Sequence, residues 1–286
     1  MTTVALLLVL GSAVAHASWN LLAKRVAGGP AFIWLFELTS VILVAPFAAA
    51  QFLLERPDIG GRELGLMAGS ALLQLVYTLL LTYGYRIGDL SLVYPLVRGS
   101  GQVFAIIGAV LLLGERPTPL ALLGAVLMVV GIVALTGDRD ALREARAARA
   151  AGCALLCGVM VASYTLWDKA AVSAAALPPI FYFWATTVGR VTLLTPVVLR
   201  HPATVRATWS AHPSEIVAVG ALGSFAYILV LTALVTSPVS YVAPIREIGI
   251  LFGVLLGSRL LAEGHTKQRL GAAGAMLLGV IALALG

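Results

Sequence analysis

Apolar residues fall in ten blocks of roughly 20, each closed by a short polar or Gly/Pro-rich stretch. They cover about residues 3–22, 31–54, 64–85, 92–113, 118–136, 150–168, 178–199, 215–236, 240–261 and 269–285. As helix, rising about 1.5 Å per residue, each block is long enough to cross about 30 Å of hydrocarbon. Outer-membrane strands would alternate apolar and polar residues over about ten positions, and no such pattern occurs. The pattern predicts an all-α membrane protein with ten transmembrane helices. The first block lacks a basic start and ends in His16-Ala17-Ser18-Trp19-Asn20 rather than a small-residue cleavage site, so it reads as helix 1 and not a signal peptide.

The blocks repeat in order. A shift of 148 superposes Arg98 on Arg246, Gly101 on Gly249, Phe104 on Phe252, Glu115 on Glu263 and Gly131 on Gly279. A shift of 150 pairs Trp34 with Trp184, Pro46 with Pro196, Gln74 with Ser224 and Tyr77 with Tyr227. Span 1 meets span 6 with Trp19 on Tyr164 and Lys24 on Lys169. The expected units are a first repeat over 1–136, a linker over 137–149 and a second repeat over 150–286. Repeats with an odd number of spans face opposite ways across a bilayer, so two inverted five-helix repeats should enclose a central cavity. Gly101, Ala105 and Ala109, matched by Gly249, Gly253 and Gly257, predict close helix packing.

Composition agrees. With 60% hydrophobic and 11% charged residues and mean hydropathy +0.99, 286 residues cannot form an ordinary soluble domain. The net charge of +6 is scattered over short loops, which argues against nucleic acid. Arg139, Arg143, Arg146 and Arg149 in the linker suggest a short amphipathic surface helix near anionic headgroups. Odd-numbered loops hold twelve Lys and Arg against four in even-numbered ones, which would place both termini outside. Cys153 and Cys157, one turn apart in span 6, read as packing residues.

Charges at membrane depth carry the chemistry. Each arginine there costs about 2.5–3.5 kcal/mol on insertion scales, so it is paired or functional. Arg98, Arg190 and Arg246 against Glu37 and Glu247 leave one positive charge in surplus. One reading makes Arg98–Glu247 and Arg190–Glu37 ion pairs that hold helices together. The other has Arg98 and Arg246 meeting at the midplane beside helices opened by Pro95 and Pro244, where two guanidinium forks hold carboxylate or phosphate oxygens. His16, Asn20 and Lys24 share a face of span 1, with Thr165 and Lys169 their counterparts on span 6 and Asp168 on a neighbouring stripe. Trp19, Gln74, Tyr77, Tyr94, Tyr164, Tyr227 and Tyr241 complete the expected wall. His16, Glu37 and Glu247 are the candidate proton carriers.

The run from Leu92 to Leu113, followed by Gly114-Glu115-Arg116, Gly124 and Gly131, recurs as Ala262-Glu263 with Gly271 and Gly279. Over essentially its whole length the chain resembles the EamA-type drug/metabolite transporters. The resemblance implies ten helices around a cavity lined mainly by spans 1, 3, 4, 6, 8 and 9. It also implies cytoplasmic termini, against the charge count, and substrates from amino acids to nucleotide sugars. Ser12 to Arg25 is similar to members associated with phosphonate use. The expected function is secondary active transport of a small polar, anionic metabolite across the cytoplasmic membrane, as a multi-pass protein. The alternative is export of amino acids or amphipathic drugs. A lipid-linked group transferase fits less well, because Asp138 and Asp140 stand alone in the linker and no H-E-x-x-H occurs. No catalytic residue, cofactor or metal is expected, and no G-x-x-x-x-G-K-[ST] loop implies ATP drive. Expected partners are the solute and the lipid bilayer, with no nucleic acid and homodimerisation left open.

Overall fold

A computed structural model describes residues 2–26, 29–87, 90–136, 145–249 and 266–286. The linker residues Asp138, Arg139, Asp140 and Arg143, the second-half positions Phe252, Gly253, Gly257, Ala262 and Glu263, and the side chains of Lys24, Tyr94, Pro95 and Arg146 lie outside the described residues.

Every described element is helical. The order is α1 (Thr3–Val26), α2 (Pro30–Glu55), α3 (Gly61–Ile87), α4 (Leu90–Leu113), α5 (Pro119–Thr136), α6 (Ala145–Lys169), a π turn (Ala170–Ala174), α7 (Pro179–Val198), α8 (Pro202–Ala211), α9 (Pro213–Thr236), α10 (Val239–Arg246) and α11 (Thr266–Leu285). In lipid only a helix satisfies its own backbone within one segment, so unbroken apolar blocks become helices. Among the described residues, six stretches are long and apolar enough to cross a bilayer: Thr3–Ala23, Pro30–Glu55, Gly61–Ile87, Leu96–Leu113, Ala148–Ala174 and Pro213–Thr236. Pro119–Gly131 and Gly274–Leu285 are shorter apolar helices. The surface is inverted relative to a soluble protein. Phe47, Leu54, Leu111 and Leu112 are exposed, while Asp168, Arg190, Arg246 and Glu247 are buried.

Helix neighbours are exchanged onto themselves when the halves are swapped. The packing of α1 on α9 matches that of α6 on α3, and α4 on α6 matches α10 on α1. Helix α2 packs on its own counterpart α7, and α5 on α11. Both of these pairs run antiparallel. Trp34 near the start of α2 donates to Thr195 near the end of α7 at 2.9 Å. Gln51 near the end of α2 accepts from the amides of Ile180 and Phe181 at the start of α7, at 2.9 and 3.2 Å. Trp184, the repeat mate of Trp34, donates to the Val41 carbonyl at 3.1 Å. On α5 and α11, a Cβ on Gly124 would lie 2.7 Å from the Gly279 carbonyl oxygen, and one on Gly279 would lie 2.8 Å from that of Gly124. Only glycine permits this approach.

Helix ends are closed by long-range contacts. Gly114 stops α4 at φ +67°, a value glycine takes without strain, and the Glu115 amide bonds back to Ala109 at 3.1 Å. The Glu115 carboxylate then caps α10. It accepts from the Val239 and Ser240 amides at 2.7 and 2.9 Å and from the Ser240 hydroxyl at 2.7 Å. Free amides at a helix start carry partial positive charge, so a carboxylate suits them. Lys169 does the converse at the end of α9, donating to the Leu234 and Ser237 carbonyls at 2.7 and 3.1 Å. Lys169, read from the sequence as the span-6 counterpart of Lys24, is thus used as a cap. Helix α6 begins at Ala145, inside the segment read as linker, because the alanine-rich run there favours helix. The span-6 cysteines pack as read: Cys153 donates to the Leu80 carbonyl and Cys157 is fully buried.

Glu115→Ala is expected to destabilise the protein by about 1–2 kcal/mol, the usual worth of a lost N-terminal cap. Thermal unfolding in detergent checks this, with Glu115→Gln falling between the two. An unchanged midpoint for Glu115→Ala overturns the capping role.

Candidate solute site

A cavity of about 500 Å³ lies where α1, α2, α3, α4, α6, α7, α9 and α10 converge. It is lined by the six spans that the resemblance implied, and additionally by α2 and α7. Eleven of the residues singled out above reach it: His16, Trp19, Asn20, Glu37, Gln74, Tyr77, Arg98, Tyr164, Arg190, Tyr227 and Arg246. Two others stand elsewhere. Glu247 lies behind the wall, 2% exposed. Tyr241 sits in the core beneath α5, its hydroxyl facing the Thr118 amide at 3.5 Å, because α10 starts at the α5 end of the bundle and reaches the cavity only at Arg246.

The arginines meet at Glu247. Its Oε1 lies 3.3 Å from Arg98 Nη1 and 3.6 Å from Arg246 Nε, and accepts from Gln102 Nε2 at 2.9 Å. The Arg98–Glu247 pair of the first reading therefore exists, and the second arginine joins it. Arg246 is 6% exposed, yet its Nε has no hydrogen-bond partner among the described residues. A second Arg98 nitrogen, Nη2, lies 3.0 Å from His16 Nε2. Gln102 was not singled out from sequence; its position one turn beyond Arg98 was the available signal.

Across the cavity runs a second polar chain. Arg190 makes a two-pronged pair with Glu37, Nε to Oε1 at 3.1 Å and Nη2 to Oε2 at 2.8 Å, as the ion-pair reading expected. Its Nη1 donates to Gln74 Oε1 at 2.6 Å. Gln74 Nε2 donates in turn to the Ser70 hydroxyl at 2.9 Å and to Asp168 at 3.3 Å. Asp168, fully buried, also accepts from Ser70 at 2.5 Å, Tyr182 at 2.7 Å and Tyr227. The sequence count of buried charge left this residue out, since it stands beside Lys169 at what reads as a span end. In the structure α6 continues through Lys169 into the π turn, which holds Asp168 inside the bundle. With Asp168, the arginines and carboxylates of the two networks number three each among the described residues: Arg98, Arg190 and Arg246 against Glu37, Asp168 and Glu247.

Aromatic rings form the wall between the two networks. Tyr77 and Tyr164 lie 5.7 Å apart, Tyr164 and Tyr227 6.5 Å, and Tyr227 and Phe183 6.2 Å, all tilted. Tyr77 and Tyr227 are repeat mates, so Tyr164 bridges the two halves. The prolines behave differently from one another. Helix α10 gives way to a turn at Glu247, three residues past Pro244, and helix resumes at Ile248. Helix α4 is unbroken across Pro95. The opening expected in both spans thus occurs in one, and since each proline is the sixth residue of its helix, its position does not explain the difference.

The family model described as the EamA-like transporter family matches residues 3–137 and again 148–285. A solved structure titled only "Crystal structure of protein" superposes with a TM-score of 0.76 at 18% identity, covering 100% of this chain and 98% of that one. No curated protein matches the chain in sequence.

Glu247→Ala leaves two guanidiniums facing each other without their shared carboxylate. Removing one partner of a buried pair costs on the order of 3–5 kcal/mol. Arg98→Ala added to Glu247→Ala is expected to recover part of the loss, a non-additivity of about 1–3 kcal/mol. Thermal unfolding of both single variants and the double variant measures it, and strictly additive losses reject the coupling.

Proposed function

The chain belongs to the EamA-like transporter family, and on that footing we propose that it moves a small anionic metabolite across the cytoplasmic membrane by alternating access. Arg246 is the observation that carries this reading. Its guanidinium lines the cavity, shares Glu247 with Arg98, has an Nε without a hydrogen-bond partner among the described residues, and repeats Arg98 from the other half, which suits an oxyanion. Arg98 and Arg246 would take the head group, and Trp19, Tyr77, Tyr164 and Tyr227 the rest of the solute. Antiparallel packing of α2 on α7 and α5 on α11 supports two inverted five-helix repeats, 1–136 and 150–286, around that solute. Rocking of one repeat against the other would then open the cavity to either side.

A zwitterionic solute, such as an amino acid for export, is the second reading. Glu37 favours it, because this carboxylate stands on the same cavity and remains 15% exposed beside Arg190.

Arg98→Ala and Arg246→Ala are each expected to abolish transport in vesicles while the folded protein stays in the membrane. Unchanged transport in both removes the anion site. A thermal-shift screen of the purified protein against phosphates, phosphonates, carboxylates and amino acids identifies the class, since binding to the native state raises its apparent stability. Stabilisation by amino acids and not by simple oxyanions favours the zwitterion.

A further inference from the structure

His16 is held between two groups that donate hydrogen bonds and never accept them. Its Nδ1 lies 3.1 Å from Trp19 Nε1 and its Nε2 lies 3.0 Å from Arg98 Nη2. An indole N–H and a guanidinium have no acceptor, whereas a neutral imidazole has one N–H and one lone pair. The ring can therefore satisfy one neighbour only, and a protonated ring satisfies neither.

Geometry decides which. Trp19 is three residues along the same helix and meets the His16 ring edge-on, with centroids 5.0 Å apart and planes at 84°. That local contact aims the indole N–H at Nδ1. Arg98 reaches His16 from another helix on a long side chain, and has Glu247 as its charge partner. The lone pair thus belongs to Nδ1 and the proton to Nε2. His16 Nε2–H then lies against the Arg98 guanidinium, on a residue that lines the cavity. Arg246 Nε, 3.6 Å from Glu247, has no hydrogen-bond partner among the described residues. Against these donors Glu247 Oε1 is already shared by Arg98, Gln102 and Arg246.

Building on the anion-transport reading, we propose that His16 is a direct ligand of the solute's oxyanion and not a proton carrier. Trp19 is the positioning residue that fixes its tautomer. One head-group oxygen, about 2.8 Å from each nitrogen, accepts from both His16 Nε2 and Arg98 Nη2. A second oxygen takes Arg246. The head group is therefore an oxyanion with at least two oxygens, carboxylate or phosphoryl.

The test uses the full-length protein in detergent, labelled with 15N-histidine. Four histidines give signals, and the one lost in His16→Gln is assigned to His16. The expected spectrum has Nδ1 bare and Nε2 protonated; the reverse tautomer or a doubly protonated ring overturns the proposal. Inorganic phosphate and acetate are then added separately, with binding followed by calorimetry. A move of the His16 Nε2 signal with phosphate alone assigns a phosphoryl head, and with acetate alone a carboxylate. Calorimetric binding without any move at His16 overturns its role and leaves the transport reading standing. Binding of neither ion overturns both. Trp19→Phe is expected to weaken binding about threefold to tenfold, the worth of one hydrogen bond, and to populate the Nδ1–H tautomer. In a His16→Ala background it is expected to do nothing. An equal loss in both backgrounds makes Trp19 merely structural and overturns the positioning role.

Discussion

Lipid offers no hydrogen-bond partner and no counter-charge, so every polar group at membrane depth must be answered from within the bundle. Here that requirement is met unevenly. Glu37 and Asp168 both gather around Arg190, one directly and the other through Gln74. Glu247 is shared by Arg98 and Arg246. Three arginines and three carboxylates balance in number, yet the cavity has an electropositive pole at α4 and α10 and an electronegative one at α2, α3, α6 and α7. In a low-dielectric interior such a separation is felt strongly. It would orient the proposed charged solute before any shape-specific contact forms.

What was legible in the sequence follows from period and length. Apolar blocks of helix length, interrupted by landmarks such as Trp34, Pro95 and Glu115, give the repeat and its register without coordinates. Cavity-lining residues such as His16, Trp19 and Gln74 were legible because helical spacing sorts faces. Asp168 was not, since its burial depends on α6 continuing into the π turn after Lys169, whose ammonium is satisfied by carbonyls at the end of α9. The role of Glu115 was equally hidden. Its partners, Val239 and Ser240, lie in the other half of the chain and come close only once α4 and α10 are packed. Tyr241 failed for a related reason: its place beside Pro244 is a statement about sequence, whereas its side chain follows the start of α10 into the core under α5.

The scaffold is symmetric and its decoration is not. Arg98 repeats as Arg246 and Tyr77 as Tyr227, but Glu37 is matched by Thr187, Arg190 by Ser40, Gln74 by Ser224 and His16 by Val161. Under the proposed alternating access these two properties answer different demands. Two access states of comparable free energy require halves that pack alike, because each state swaps their packing. A solute with one charged end requires a lining that differs from end to end.

Backbone contact sets how deep the cations sit. Helix α4 crosses α6 where Gly101 meets Gly158; a Cβ on Gly158 would come within 3.0 Å of the Gly101 nitrogen. The repeat-related crossing brings Gly249 onto α1, where a Cβ would lie 2.7 Å from the Ala13 carbonyl oxygen. Arg98 and Arg246 each precede their glycine by three residues, hence share its helix face one turn away. Each guanidinium therefore projects from beside the tightest point of its helix, where the backbone has least freedom to shift. A long, flexible side chain anchored on a loose helix would lose its aim. Anchored there, it keeps the separation between the two forks that the proposed shared oxyanion would need.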